Sequence, residues 1–339
     1  MGLWQYILRR IALAILVLFI VSVATFVLAH AVPGDPVNAV ISERQADKPE
    51  IRQRIEARYG LNKPLPIQYA YYLRNLLRGD FGETITTQRP VASELGNFVP
   101  ATIELTIGSM IFALGLGIPL GIIAAVRQDR LADNVARFVA LLGTSVPVFW
   151  LGLILSYVFF YRLRILPGSG QLDVGMEKPP HVTGLISVDA LLAGQWNVFW
   201  SLIRHIILPS IVLGSYAMGI IARMLRSSLV AAMSDDYVRT ARAKGVSERR
   251  VVTTHALRNA LIPTVTVIGL TFASLLAGAV LTETIFSWPG VGQFSVRMAL
   301  KLDYPGLLGV TFVIAVAYVL VNLIVDILYG VLDPRIRVS

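Results

Sequence analysis

Between Ile11 and Ala29 the chain carries no charged residue. Wound as a helix, an apolar run of about 20 residues matches the hydrocarbon thickness of a bilayer. Comparable runs cover about 101–125, 138–161, 202–224, 261–284 and 306–332. In hydrocarbon a backbone must satisfy its own polar groups, so runs of this length are helices. The expected fold class is all-α and polytopic, with about six transmembrane helices. Composition agrees: of 339 residues, 55% are hydrophobic and 15% charged, which is membrane-protein usage.

Positive charge orients the spans. Arg9 and Arg10 precede the first run, and Arg127, Arg130 and Arg137 surround the loop after the second. Lys and Arg near span ends stay cytoplasmic, so the N- and C-termini are both placed in the cytoplasm. The formal net charge of +9 follows from that retention and needs no nucleic-acid partner. A rival reading makes the first run a signal peptide, because Ala29-His30-Ala31 imitates a cleavage site. Signal-peptide apolar cores are shorter, about 7–15 residues, so we favour an uncleaved span.

Between the spans, Pro33-Gly34-Asp35-Pro36 breaks the chain sharply. A candidate amphipathic helix follows at Pro49 to Arg58, and Ile67 to Leu77 suits a short helix lying on the membrane surface or on the bundle. Glu104 falls in the expected first turn of the second span, as an interfacial cap or as part of a pathway. Gly143-Thr144-Ser145-Val146-Pro147 interrupts the third span, as a kink or a hinge. Residues 162–197 are polar, rich in Gly and Pro, and outside. Asn322 and Asp326 lie within the sixth apolar run. Asp326 suits pairing with arginines at the cytoplasmic surface better than a proton relay, although intramembrane acids do serve as relays.

Enzymatic chemistry has little to stand on. With no cysteine, disulfides, thiolate metal sites and Cys nucleophiles are excluded. His30, His181, His205 and His255 show no metal-ligand spacing. None of Lys48, Lys63, Lys178, Lys244 and Lys301 completes a phosphate-binding loop, and G-x-G-x-x-G and G-x-S-x-G are absent. Uphill transport would need an ion gradient or a partner that hydrolyses ATP.

One polar stretch remains, DYVRTARAKGVSERRVVTTHALRNALIP from Asp236 to Pro263. Ser234, Asp235 or Asp236 can cap a helix of about nine residues. Gly245 can end it in the left-handed conformation. Ser247 can cap a second helix, Glu248 to about Asn259, and Pro263 then falls in the first turn of the next span. Helix, tight Gly turn, helix across the cytoplasmic face is more structure than a solvated topology-setting loop requires.

The stretch resembles the cytoplasmic coupling motif of type I ABC importer permeases, E-A-A, three residues, Gly, then a spacer ending in I-x-L-P. Gly245 occupies the Gly position. Arg239-Thr240-Ala241 stands where E-A-A is expected, so only the second Ala is kept. The match is closer to the dipeptide, oligopeptide and nickel branch, which carries D-Y-[VI]-R-T-A-R-A-K-G and H-A-L-R-N-A-L-[LI]-P. Ile7-Leu8-Arg9-Arg10, Pro33-Gly34-Asp35-Pro36, Thr282-Glu283-Thr284-Ile285-Phe286-Ser287-Trp288-Pro289-Gly290 and Asp333-Pro334-Arg335-Ile336-Arg337 resemble further motifs of the branch, in order. The long segment after the first span is similar to that of the first of two permeases.

The resemblance implies a type I ABC importer permease fold in a bacterial inner membrane. It divides the chain into 1–31 (tail and first span), 32–96 (extracytoplasmic), 97–332 (permease core with coupling helices at 234–260) and 333–339 (cytoplasmic tail). It implies a second homologous permease, two cytoplasmic ABC ATPases that hold ATP and Mg, and an extracytoplasmic binding protein. This chain would have no cofactor or ATPase site of its own. Asp236, Tyr237, Arg239, Thr240, Ala241, Arg242, Ala243, Lys244, Gly245, Arg249, His255, Arg258, Asn259 and Pro263 would form the ATPase-coupling surface. Pro147, Glu283, Trp288, Pro289, Gly290, Asn322 and Asp326 are candidate pathway or gate residues. Dipeptides or short peptides are the implied cargo, with nickel or another small solute as the alternative. A self-sufficient ion-coupled transporter is the reading from another class.

Overall fold

A computed structural model describes residues 3–31 and 62–332, together with Pro49, Glu50 and Gln53. The expected turn at 33–36, most of the expected helix at 49–58 and the tail at 333–339 lie outside the described residues. Among the described residues the structure is helical, with one isolated bridge between Glu83 and Pro90.

Five helices are long and apolar enough to cross a membrane, and a bent pair brings the number to as many as six. They include α1 (Leu3–Ala31), α3 (Val91–Val126), α7 (Trp196–Ser234) and α13 (Tyr304–Leu332). Three of them, α1, α3 and α7, clearly overrun the apolar runs that announced them. Polar flanks set the expected limits, but a helix continues past the hydrocarbon boundary while its residues tolerate the conformation. At 39 residues, α7 spans about 58 Å. It ends only where Asp235 turns extended, at φ −70° and ψ 153°.

α7 is the axis of the bundle. Of its apolar window 72% is buried, against 17% for α1 and 11% for α13. Apolar side chains gain little by leaving lipid for protein, so membrane helices associate through close packing. α3 lies along α7, and Leu105, Met110 and Ala113 meet Leu202, Leu213, Ala217 and Ile221 in the main core.

The third expected span is not one helix. α4 (Leu131–Ser145) stops, and α5 (Val148–Leu155) leaves at 104°, continuing as a π-helix over Ser156–Arg162. Proline disfavours the helical region for its predecessor. Val146 is accordingly extended, with ψ 126°, and Pro147 stands at the start of α5. This is a break, which corrects the expectation of a kinked continuous span.

Glu104 also differs from expectation. α3 begins at Val91, so Glu104 lies well inside the helix. It is buried and accepts the Ser187 N–H at 2.6 Å. Leu65–Leu77 forms the expected short helix, α2, and docks on α1. Tyr69 and Tyr72 share hydroxyl hydrogen bonds with Ser22 and Thr25 at 2.8 and 2.9 Å. On α13, Asp326 pairs with Arg10 of α1 at 2.8 Å, and the Tyr6 hydroxyl donates to the Asp326 carbonyl oxygen.

Between α5 and α7 the chain folds over one end of the bundle around the short helix α6 (Ile186–Leu192). Asp189 organises this segment. Its carboxylate accepts the N–H groups of Val182, Thr183 and Gly184, and the Thr183 hydroxyl at 2.7 Å. Burial pushes this carboxyl up, but the hydrogen bonds outweigh burial and hold it below its usual range.

Candidate functional site

The sequence-predicted site residues separate into three places. The first is the polar insert. α8 (Asp236–Ala243) begins at the N-cap Asp235 and ends at Lys244. Gly245 follows with φ +77°. Its N–H donates to the Arg242 carbonyl at 2.9 Å, and the Val246 N–H reaches back to the Ala241 carbonyl at 3.2 Å. This paired closure is a Schellman turn, which needs a residue at ease in the left-handed region. A Cβ at Gly245 would meet nothing within 4 Å, so backbone conformation alone selects glycine here.

Two details of the insert differ from the sequence reading. Asp235 and Ser247 occupy the N-cap positions, but neither makes a side-chain cap hydrogen bond, and the Ser234 hydroxyl turns back to the Ala231 carbonyl. The second helix is also not separate from the span. A single turn, α9 (Glu248–Arg250), passes through a π-helix at Val251–Ala256 into α10 (Leu257–Gly278). Pro263 is therefore inside a helix and not in its first turn. One residue on, the Thr264 hydroxyl donates to the Ala260 carbonyl at 2.8 Å.

The insert has an apolar underside and a polar face. Val238, Ala241, Val251, Val252 and Ala256 are buried against Leu225 and Leu229 of α7. Arg239, Thr240, Arg242, Ala243, Lys244, Gly245, Arg249, Arg258 and Asn259 are exposed, as are Asp236 and Tyr237, while His255 is half-buried. Arg242 grips both oxygens of Glu248 across the Gly turn, at 2.6 and 3.0 Å. The product is a short helix seated on the bundle by packing, its cationic side exposed, with Arg239 paired to Asp236 at 3.2 Å.

The second place gathers Glu283, Trp288 and Gly290. α11 (Val280–Ile285) and α12 (Val291–Leu300) are joined by a short loop, which is pinned to α3. Glu283 is fully buried. Its carboxyl group accepts the Thr102 hydroxyl at 2.6 Å and the Gln293 N–H at 2.9 Å. The Thr102 hydroxyl in turn accepts the Val291 N–H at 2.8 Å. Trp288, also fully buried, donates its indole N–H to the Ala101 carbonyl at 2.8 Å. Gly290 lies against the Glu283 carboxyl group, leaving no room for a Cβ. Pro289 completes the loop.

The remaining candidates lie apart. Pro147 is at the α4–α5 break. Asn322 and Asp326 are on α13, and the Asn322 side-chain oxygen is buried without a hydrogen-bond partner among the described residues. Among those residues, no group of three or more His, Asp or Glu side chains could hold a metal ion. The sequence reading missed Thr102, whose neighbourhood reads as plain apolar helix. It also missed Asp133 and Arg226, although lone charges close to span ends were a signal.

The chain matches two family profiles. Residues 117–338 match "binding-protein-dependent transport system inner membrane component", and residues 3–106 match the N-terminal region of such membrane components. The probable D,D-dipeptide transport system permease of Escherichia coli K12 is 45% identical, covering 99% of this chain and 98% of that protein. The di/tripeptide transport system permease of Pseudomonas aeruginosa is 46% identical over 98% of each. The dipeptide transport system permease of Escherichia coli K12 is 42% identical, again over 98% of each. Among solved structures, a chain of the MetNI methionine ABC transporter, in an inward-facing conformation, superposes with a TM-score of 0.51. That match covers 69% of this chain and 93% of the other, at 15% identity, so the likeness is one of fold alone.

Proposed function

We propose, on the premise that this chain belongs to the family of binding-protein-dependent transport system inner membrane components, that it forms half of an ATP-driven import path for dipeptides. As such a component it is a multi-pass protein of the bacterial inner membrane, without an ATPase site of its own. In this reading a second, homologous permease completes the path. Two cytoplasmic ATPases bind ATP and Mg, and an extracytoplasmic binding protein delivers the peptide. The full-length relatives named for dipeptides and di/tripeptides support that cargo.

The observation that carries the coupling role is the Schellman-closed helix α8 on its apolar seat. A lever must transmit displacement without bending. Here Val238 and Ala241 are buried against the bundle, and the Gly245 turn fixes the exit direction. The exposed cations Arg239, Lys244, Arg249 and Arg258 would guide an ATPase groove onto the helix, since complementary charge steers docking. The insert and both termini would then face the cytoplasm, and the segment around α6 the outside.

Reconstitution of the chain with its partner permease, ATPases and binding protein tests the reading. ATP-dependent uptake of a labelled dipeptide is the expected result. Gly245→Arg should abolish uptake while leaving the protein inserted, because the open space at Gly245 admits a side chain without a clash. Wild-type uptake by that variant would overturn the coupling role. Uptake by the chain alone, driven by a proton gradient, would overturn the importer reading in favour of an ion-coupled transporter.

A further inference from the structure

α7 carries the insert, and α4 lies against α7 over much of its length. The backbones touch: a Cβ on Gly219 would run into the Ala140 carbonyl oxygen, and one on Gly143 into that of Ser215. Contacts of this kind hold two helices close by packing. One further contact is directional. Near the insert end, Asp133 is fully buried at the start of α4 and is gripped by Arg226 of α7. The Arg226 Nε donates to one carboxylate oxygen at 2.8 Å and Nη2 to the other at 2.7 Å. The Asp129 N–H adds a third hydrogen bond at 3.0 Å, and the Arg137 Nε lies 3.3 Å away.

Two parallel hydrogen bonds between planar groups fix orientation as well as distance. A buried ion pair adds little net stability over an apolar packing of the same volume. Direction is what this one supplies. Arg226 stands about two turns before α7 ends, close to the start of α8. The far end of α4 is the break at Val146–Pro147, beyond which α5 packs Leu151 and Leu155 onto Leu208, Val212 and Phe286. α4 is thus locked to the insert-bearing helix at one end and jointed at the other.

We propose that Asp133 and Arg226 are positioning residues for transport. They tie α4 to α7, so that a displacement of the insert turns α4 and is delivered to the α4–α5 joint. The inference rests on the importer reading given above.

The test uses the complete complex in vesicles, with binding-protein-stimulated ATP hydrolysis and dipeptide uptake both measured per assembled complex. Asp133→Asn removes the charge and keeps the shape. Arg226→Lys keeps the charge and loses the two-pronged geometry, a difference that is not conservative at such a site. In both variants uptake should fall about tenfold or more, while hydrolysis stays within about twofold, which separates turnover from productive movement. A parallel fall in uptake and hydrolysis, or no change in either, in both variants overturns the inference and leaves the pair a packing contact. Lack of ATP-dependent uptake by the wild-type complex defeats the importer reading itself, a distinct result.

Discussion

The insert and the α11–α12 loop hold their shape by opposite means. At the insert, α8 is stopped by a turn whose hydrogen bonds join residues five apart or closer, from Ala241 to Val246. At the α11–α12 loop, the holding contacts join residues far apart in the chain: Glu283 to Thr102, Trp288 to Ala101 and Val291 to Thr102. The insert presents an exposed, charged face, whereas Glu283, Trp288 and Gly290 at the loop are buried. The surface proposed to receive a partner is closed by a turn of its own residues. A joint that must hold two parts of the bundle together is built from distant residues that water cannot reach.

The largest test of that contrast is Trp288→Ala. The indole is fully buried and also satisfies the Ala101 carbonyl. Truncating a buried aromatic costs about 3–5 kcal/mol through lost contacts and a residual cavity. Thermal unfolding of the detergent-purified protein should show a midpoint lower than that of Gly245→Ala or Asp189→Asn. A loss below about 1 kcal/mol, the level of an ordinary surface change, would mean that the joint bears little of the structure.

This contrast also explains how far the sequence could be read. The spans were legible because hydrocarbon imposes one solution on any apolar run. The Gly245 turn was legible because its cause is local: a helix-forming stretch, one glycine, then a new cap position. Helix lengths were less so. α3 extends back to Val91, through Pro100, and α7 on to Ser234, past the polar residues that set the expected limits. The Thr102–Glu283 contact was not legible at all, since neither residue's own neighbourhood names the other. Asp133 and Arg226 stand out singly as lone charges near span ends, but nothing in the sequence pairs them. Pro147 lay between: proline announced an interruption, but only tertiary packing decides that the chain turns through 104°.

Gly245→Ala probes the local end, with a smaller effect. The left-handed conformation costs a residue bearing a Cβ about 1–2 kcal/mol, and open space around Gly245 adds no clash. Because the turn closes only α8, the global unfolding midpoint should move little, while the insert frays. Amide exchange in Asp236–Val246 should quicken, and that around Trp288 should stay as it was. Gly245→Asn should recover part of the protection, since Asn tolerates this region better than Ala. Equal protection in the Ala variant would show that something other than the turn orders α8.

The smallest effect expected is one of pH, at the segment around α6. Asp189 is folded with its carboxyl below the ordinary range, because four hydrogen bonds outweigh the cost of burying the charge. A group whose folded pKa is depressed contributes stability above its unfolded value, about 3.9 for Asp, and loses it as the pH falls toward the folded value. Between neutrality and about pH 5 the segment should hold unchanged. Below about pH 4, protonation removes the acceptor that gathers Val182, Thr183 and Gly184. Protease cleavage within residues 173–184 should then accelerate, using an acid-active protease, while Asp189→Asn should already be cut faster at pH 7 and gain less on acidification. A pH response of the same size in wild type and Asp189→Asn would assign the loosening to another group, and would place this segment with the joint, held by distant residues rather than by its own hydrogen bonds.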